Sequence, residues 1–155
     1  HNFGLNYTAE DGTQQMPVVI HRAIYGSLER FIGIIIENFK GNFPFWLNPY
    51  QVALVPIREE HNAYAKKVEE ALLNAGIRVE ADYSDKNMKT KIKGFKNYKD
   101  PYILVLGDHE AEENTVSINV RGSNKQIQNV PLDKFVAFCQ KLNREHTLEL
   151  PDEID

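Results

Sequence analysis

Two rhythms of apolar residues divide the chain. Pro17 to Tyr25 (PVVIHRAIY) is rich in β-branched residues and nearly continuous in apolar character, which predicts a buried strand. The turn signal Glu10-Asp11-Gly12 ahead of it makes residues 3–25 a predicted β-hairpin. From Gly26-Ser27 the spacing becomes helical: Leu28, Phe31, Ile32, Ile35, Ile36 and Phe39 share a face, and Gly41 ends the helix. Ile34 completes a continuous Ile34-Ile35-Ile36 run. That is more apolar surface than a hairpin and one helix can bury, so this segment is expected to pack against something larger.

A Pro- and aromatic-rich stretch, residues 42–49 (NFPFWLNP), separates this segment from a different pattern. Gln51 to Ile57 reads as a strand, Glu59 to Ala75 as an amphipathic helix stopped by Gly76, and Ile77 to Asp82 as a second strand. The helix turns Tyr64, Val68, Ala71 and Leu72 to one side. Residues 86–99 are basic and include a short helix. Pro101 to Leu106 and Thr115 to Val120 are further strands. The last helix, Leu132 to Arg144, has Leu132, Phe135, Val136, Cys139 and Leu142 as its core face. Strands alternating with helices predict an α/β domain with a mixed, mostly parallel sheet, one late hairpin supplying the antiparallel part. The expected divisions are residues 1–41, a linker at 42–49, a domain at 50–146 and an acidic tail at 147–155 that frays.

Composition narrows the class. With 155 residues there is room for one ordinary domain and a fragment of another. No apolar run reaches the roughly 18 residues of a membrane span, and the N-terminus, His1 rather than Met, carries no signal-peptide pattern. That start reads as an excised piece of a longer chain. One cysteine, Cys139, excludes internal disulfides and fits a reducing cytoplasm. The net charge of −4 means that any nucleic-acid binding must rest on a local patch.

Such a patch is present. Lys86, Lys89, Lys91, Lys93, Lys96 and Lys99 fall within fourteen residues without an acidic one, and Phe95 and Tyr98 are interleaved. Lysines neutralise phosphates and aromatic rings stack on unpaired bases. The competing reading is a solvated lysine-rich helix with its aromatics in the core. His21, on an apolar strand, reads either as a hydrogen-bonded core residue or as a metal ligand. His61, His109 and His146 lack a spaced Cys or His partner and read as surface residues, and Cys139 as packing. Arg30, in the first turn of its helix, suits a nucleotide phosphate or an ion pair with Glu29 or Glu37.

The string Pro17 to Gly33 (PVVIHRAIYGSLERFIG) closely resembles the third signature motif of threonyl-tRNA synthetase, the strand–helix element of a class II catalytic domain. FPFWLNPYQV resembles that family's junction into its anticodon-binding domain, and LLNAGIRVEAD, PYILVLGDHE and TVSINV resemble successive elements of that domain. The later strings occur more loosely in prolyl-, histidyl- and glycyl-tRNA synthetases. The resemblance implies a catalytic-domain remnant at 1–41 and a five-stranded anticodon-binding domain at 50–146. It implies Arg30 as a ligand of ATP, Ser27 as a wall of the threonine pocket and His21 as one of three zinc ligands, the other two lying upstream. ATP and zinc therefore belong to the full enzyme, and none is expected on this chain alone. The parent is implied to be a homodimer and the fragment a monomer.

In the anticodon-binding domain the resemblance implies tRNA contacts from Asp85, Lys93, Glu110 and Asn119 or Arg121, and the basic stretch adds Lys86, Lys89 and Lys91 as expected RNA contacts. The family has asparagine where Asp85 stands and arginine where Lys93 stands. Its arginine beyond the GDHE motif aligns with Asn119, or with Arg121 if a hairpin there carries two extra residues. The expected function is binding of the tRNA anticodon arm within a ligase that activates threonine with ATP and transfers it to tRNA. The alternatives are a non-catalytic synthetase-like module that holds RNA or protein, or a related class II synthetase.

Overall fold

In the computed structural model, residues 4–154 are described; the first three residues of the expected hairpin and remnant, and the last residue of the tail, lie outside them. The chain divides into two compact units, residues 1–37 and 38–155.

In the first unit Tyr7–Thr8 (β1) pairs antiparallel with Gln14–Gln15 (β2), Tyr7 opposite Gln15. The turn between them is set by Asp11, whose carboxylate accepts from Thr13 N at 3.0 Å and Thr13 Oγ1 at 2.7 Å. The hairpin is therefore much shorter than predicted. The strand expected at Pro17–Tyr25 does not form: these residues join no ladder, and Val18 and Ile20 are 88% and 85% exposed. A β-branched apolar run becomes a strand only with a neighbour to bond and a layer to cover it, and this unit supplies neither. The helix does form, as Leu28–Phe39 (α1). Ser27 starts it by accepting from Arg30 N and Phe31 N, and the Tyr25 ring stacks on Phe31 at 4.5 Å. None of its residues is buried, and Leu28, Ile32, Ile34 and Ile36 are exposed.

The second unit runs Val52–Pro56 (β3), Asn62–Asn74 (α2), Val79–Ala81 (β4), Met88–Tyr98 (α3), Tyr102–Leu106 (β5), Asp108–Glu113 (α4), Thr115–Val120 (β6), Gln126–Pro131 (β7) and Leu132–Glu145 (α5). The sheet order is β4-β3-β5-β6-β7. β3 is parallel to both β4 and β5, whereas β5, β6 and β7 run antiparallel in turn, so the two kinds of pairing are equal in number. Two elements were not placed by the apolar pattern. α4 is a single polar turn and a half between two strands, too short to show a period. β7 is an edge strand whose exposed Gln126 and Gln128 dilute the alternation, and its pairing with β6 shifts register between Val116 and Ile118.

The two faces of the sheet are covered unequally. On one, Tyr64, Val68 and Leu72 of α2 and Phe135, Cys139 and Leu142 of α5 pack on Val52, Leu54, Tyr102, Leu104, Val116 and Ile118. On the other, α3 lays Phe95 over Ala53, Val55 and Ile103. Full burial of one large apolar side chain contributes about 1.5–3 kcal/mol, so the first face carries most of the stability. The second is only partly roofed.

The stretch at 42–49 is built into this unit rather than strung between units. Phe45 is fully buried, with its ring 5.6 Å from that of Tyr102. Arg78 donates to the carbonyls of Trp46, Asn48 and Pro49, and buried Gln51 joins Phe45 O to Asn143 Oδ1. The tail, expected to fray, packs as well: Leu150 and Ile154 lie against the core, and Tyr102 Oη donates to Pro151 O at 2.9 Å. A buried tyrosine hydroxyl needs a partner, and the tail supplies it.

Candidate nucleic-acid interface

Because β3, β4 and β5 are parallel, their C-terminal ends share one edge of the sheet. β4 leads from that edge into α3 and β5 leads into α4. Asn87 caps α3, its Oδ1 accepting from Thr90 N at 2.8 Å. The loop before it is held by Asp82, which accepts from Ser84 Oγ at 2.5 Å and stands 4.0 Å from Lys86 Nζ. The Ser84 hydroxyl, then the charges of Lys86 and Lys91, keep the Asp82 carboxyl below the usual carboxylate range. Asp85 and Lys86 are exposed beside it.

The six lysines separate once α3 is folded. Lys91 is buried, and its Nζ donates to Pro56 O at 3.1 Å, tying the helix to the end of β3. Lys89, Lys93 and Lys96 are exposed at positions i, i+4 and i+7, one stripe of the helix. The aromatics divide in the same way: Phe95 is core, while Tyr98 is 76% exposed on the opposite flank, which it shares with Thr90 and Gly94.

The lysine stripe faces the uncovered part of the sheet. Side chains directly opposite in antiparallel strands share a face, so Ser117 and Asn119 of β6 point the same way as Val105 and Ile103 of β5, and Gln126 of β7 joins Asn119. Beyond α3 this face presents half-buried Asn119 and exposed Gln126, with Ser117 buried under Glu110, and Lys96 and Asn119 line one shallow depression with Asp100 and Ser123.

Glu110 closes the upper end of this face. It sits at the third position of α4, accepting from Gly107 N at 3.0 Å through Oε2 and from Ser117 Oγ at 2.6 Å through Oε1. Two donors hold the carboxylate still, and each oxygen keeps a lone pair. Gly107 leaves close quarters here: a Cβ would lie 2.9 Å from Ile57 Cδ1, the far end of a partly exposed side chain that can turn aside, and 3.2 Å from Glu110 Oε2. Gly107→Ala is therefore expected to lower stability by about 1 kcal/mol, the low end of an overpacking cost, and to weaken RNA binding by displacing Glu110; thermal melts and a binding titration read both, and an unchanged affinity would refute it.

His61, read as a surface residue, is in fact only 4% exposed. Its Nδ1 accepts from Arg58 N at 3.2 Å, so the ring proton lies on Nε2, which donates to Asp108 Oδ1 at 2.9 Å. This bond holds the Asp108 carboxyl below its ordinary range and fastens α4 to the start of α2. Glu60, His61 and Asp108 are the only group among the described residues with metal-ligand spacing, but Nε2 already carries the ring proton. Its fixing partner is local, three residues away, and was open to reading from the sequence only as a capping pattern.

The remaining candidates are placed as follows. Arg121 is half-buried, and its fork is occupied by two carbonyls. His21 and Arg30 are exposed in the first unit, and Ser27 Oγ donates to Glu29 Oε2 at 2.6 Å. Among the described residues no group of three potential ligands includes His21, so those present do not make up a zinc centre. No helix among the described residues is long and apolar enough to cross a membrane. Three residues matter here that the sequence does not mark as contacts: Lys96, Gln126 and Ser117, the last buried as the support of Glu110. Lys96 was one of six equivalent lysines in the sequence, and the other two are neutral strand residues that matter only because β6 and β7 pair with α3 covering the strands beside them.

A half-roofed mixed sheet with a basic helix on its open face defines a class, and the sequence agrees: residues 51–142 match the signature of the anticodon binding domain, HGTP type, and the chain belongs to that family. Among curated proteins it is similar to the threonine–tRNA ligase of Acidobacterium capsulatum, 50% identical over 90% of this chain and 20% of the relative, and to that of Symbiobacterium thermophilum, 47% identical over 89% of this chain and 21% of the relative. The chain thus spans about a fifth of the length of these relatives. Among solved structures it is similar to the RNA binding domain of threonyl-tRNA synthetase from Cryptosporidium parvum Iowa II, with a TM-score of 0.72 and 34% identity over 99% of this chain and 37% of that one.

Proposed function

We propose that this chain is the C-terminal part of a threonine–tRNA ligase and that its second unit holds the tRNA anticodon arm on the face between α3 and β6. The observation that carries the reading is the exposed stripe Lys89, Lys93 and Lys96 beside Asn119 and Gln126, with the carboxylate of Glu110, immobilised by Gly107 N and buried Ser117, at one end. The stripe supplies phosphate neutralisation. Glu110 supplies an acceptor for base amino or imino groups, and Asn119 and Gln126 supply both donors and acceptors. Asp85 and Lys86 extend the surface along the strand ends.

In the full ligase, Arg30 would face ATP and Ser27 the threonine, and His21 would be one zinc ligand, the metal supplying Lewis acidity toward the amino acid. None of these three completes a site by itself, so the chain alone is proposed to be inactive in aminoacylation. A fluorescence titration with the anticodon stem-loop of threonine tRNA tests the binding. Three neutralised phosphates of a single-stranded loop give a log–log salt slope near −2, so affinity should fall about 20-fold between 50 and 200 mM salt. Binding without salt dependence, or no binding, would refute it.

A further inference from the structure

The C-terminal end of α3 meets the segment through which the chain joins the domain. Arg121, immediately after β6, donates from Nη1 to Lys99 O and from Nη2 to Phe43 O, both at 2.6 Å. Lys99 ends α3 in a left-handed conformation with φ 62° and donates through Nζ to Lys40 O. Its side chain lies on Gly41, where φ is +74° and an added Cβ would stand 3.2 Å from Lys99 Nζ. A β-carbon there would meet both backbone strain and the lysine, so glycine lets the two segments close. The acid nearest Arg121, Asp100, is buried beneath.

These contacts hold residues 40–43 at both ends against elements far along the chain. Arginine suits the task because its planar fork presents several donors in fixed directions, and here two of them reach two carbonyls. A guanidinium so held has two of its five donors committed to backbone carbonyls, which fixes its plane against the junction instead of leaving it free to turn to a base edge. We infer that Arg121 and Lys99 form a clamp that fixes the linker at residues 40–43 to the end of the sheet, making Arg121 a positioning residue for the junction rather than an RNA contact. Residues 40–43 are then part of the second unit's own structure. This holds whether or not the face between α3 and β6 binds RNA.

Limited trypsin digestion of the 155-residue chain reads the clamp directly. The carbonyl that trypsin attacks at Lys40–Gly41 is the one held by Lys99 Nζ. Cleavage follows the open fraction when opening is fast, so Arg121→Gln is expected to raise the initial rate at that bond by about tenfold, and Arg121→Lys by less. Lys99→Met, which leaves Arg121 and the core intact, should raise it too. Affinity for the anticodon stem-loop should stay within about twofold. Unchanged cleavage at Lys40 in both Arg121→Gln and Lys99→Met would overturn the clamp. So would an equal rise at buried Lys91, which reports global loosening, or a loss of RNA affinity with cleavage at Lys40 unchanged.

Discussion

Replacing Lys89, Lys93 and Lys96 together by glutamate is expected to lower affinity for the anticodon stem-loop by on the order of 100-fold at 50 mM salt and to flatten the salt slope toward zero. All three side chains are exposed on one stripe of α3, so thermal stability should hardly change. Lys91 makes the contrast. It lies between Lys89 and Lys93 in sequence, but its ammonium is buried on Pro56 O. Lys91→Met removes that donor and leaves a buried carbonyl short of a partner, at a cost of about 1–3 kcal/mol. Its signature is therefore a lowered Tm, with RNA affinity retained at temperatures where the domain is folded. If the triple reversal left affinity intact, or if Lys91→Met cost affinity without stability, the assignment of the stripe would be wrong.

The second large effect concerns stability against pH. Glu80 Oε1 and Asp100 Oδ2 are buried, and neither meets a donor among the described groups. The two carboxyls face one another, so a proton shared between them would relieve their repulsion. Burial first, and then the Glu80 carboxyl, push Asp100 up to about 8, against the pull of Arg121. In the unfolded chain an aspartate releases its proton near 3.9. The folded state therefore binds the extra proton between those values, so the contribution of the pair is complete below about pH 4 and is lost as pH rises toward 8. Glu80→Gln supplies a permanent amide donor to Asp100. It should raise stability at pH 8–9 by roughly 1–3 kcal/mol and flatten the decline between pH 5 and 8. Asp100→Asn should flatten it as well, with less gain because Arg121 loses its counter-charge. Denaturant melts across this range check the prediction; parallel curves for wild type and both variants would refute the shared proton.

How much of this was open to reading from residues alone differed by element. The long amphipathic helices, α2 and α5, and the continuous apolar strands β3 and β5 carry strong periods, and they form where the pattern puts them. The strand expected at Pro17–Tyr25 has an equally strong local pattern, yet it stands exposed and unpaired. Strand formation depends on a partner, and propensity cannot provide one. α4 and β7 failed for the opposite reason: their residues are polar, and their positions come from Glu110 capping a helix and from β6 offering an edge.

The site divides in the same way. Charge density around residues 86–99 and the string from Pro17 to Gly33 are properties of the sequence: the first marks a candidate RNA-binding helix, and the second carries the resemblance to a synthetase. Which lysines are free was not available there, because residues two apart on a helix point about 160° away from each other and only packing decides which direction is inward. Folding turned Lys91 and Phe95 to the core, left Lys89, Lys93 and Lys96 in solvent, and put Asn119 beside them from a strand more than twenty residues away. It also gave Arg121 to two backbone carbonyls and brought the Glu80 and Asp100 carboxyls together. Local pattern and charge are carried by the order of residues. Which groups are buried, paired or free is a matter of neighbours distant in sequence, and those exist only once the sheet has assembled.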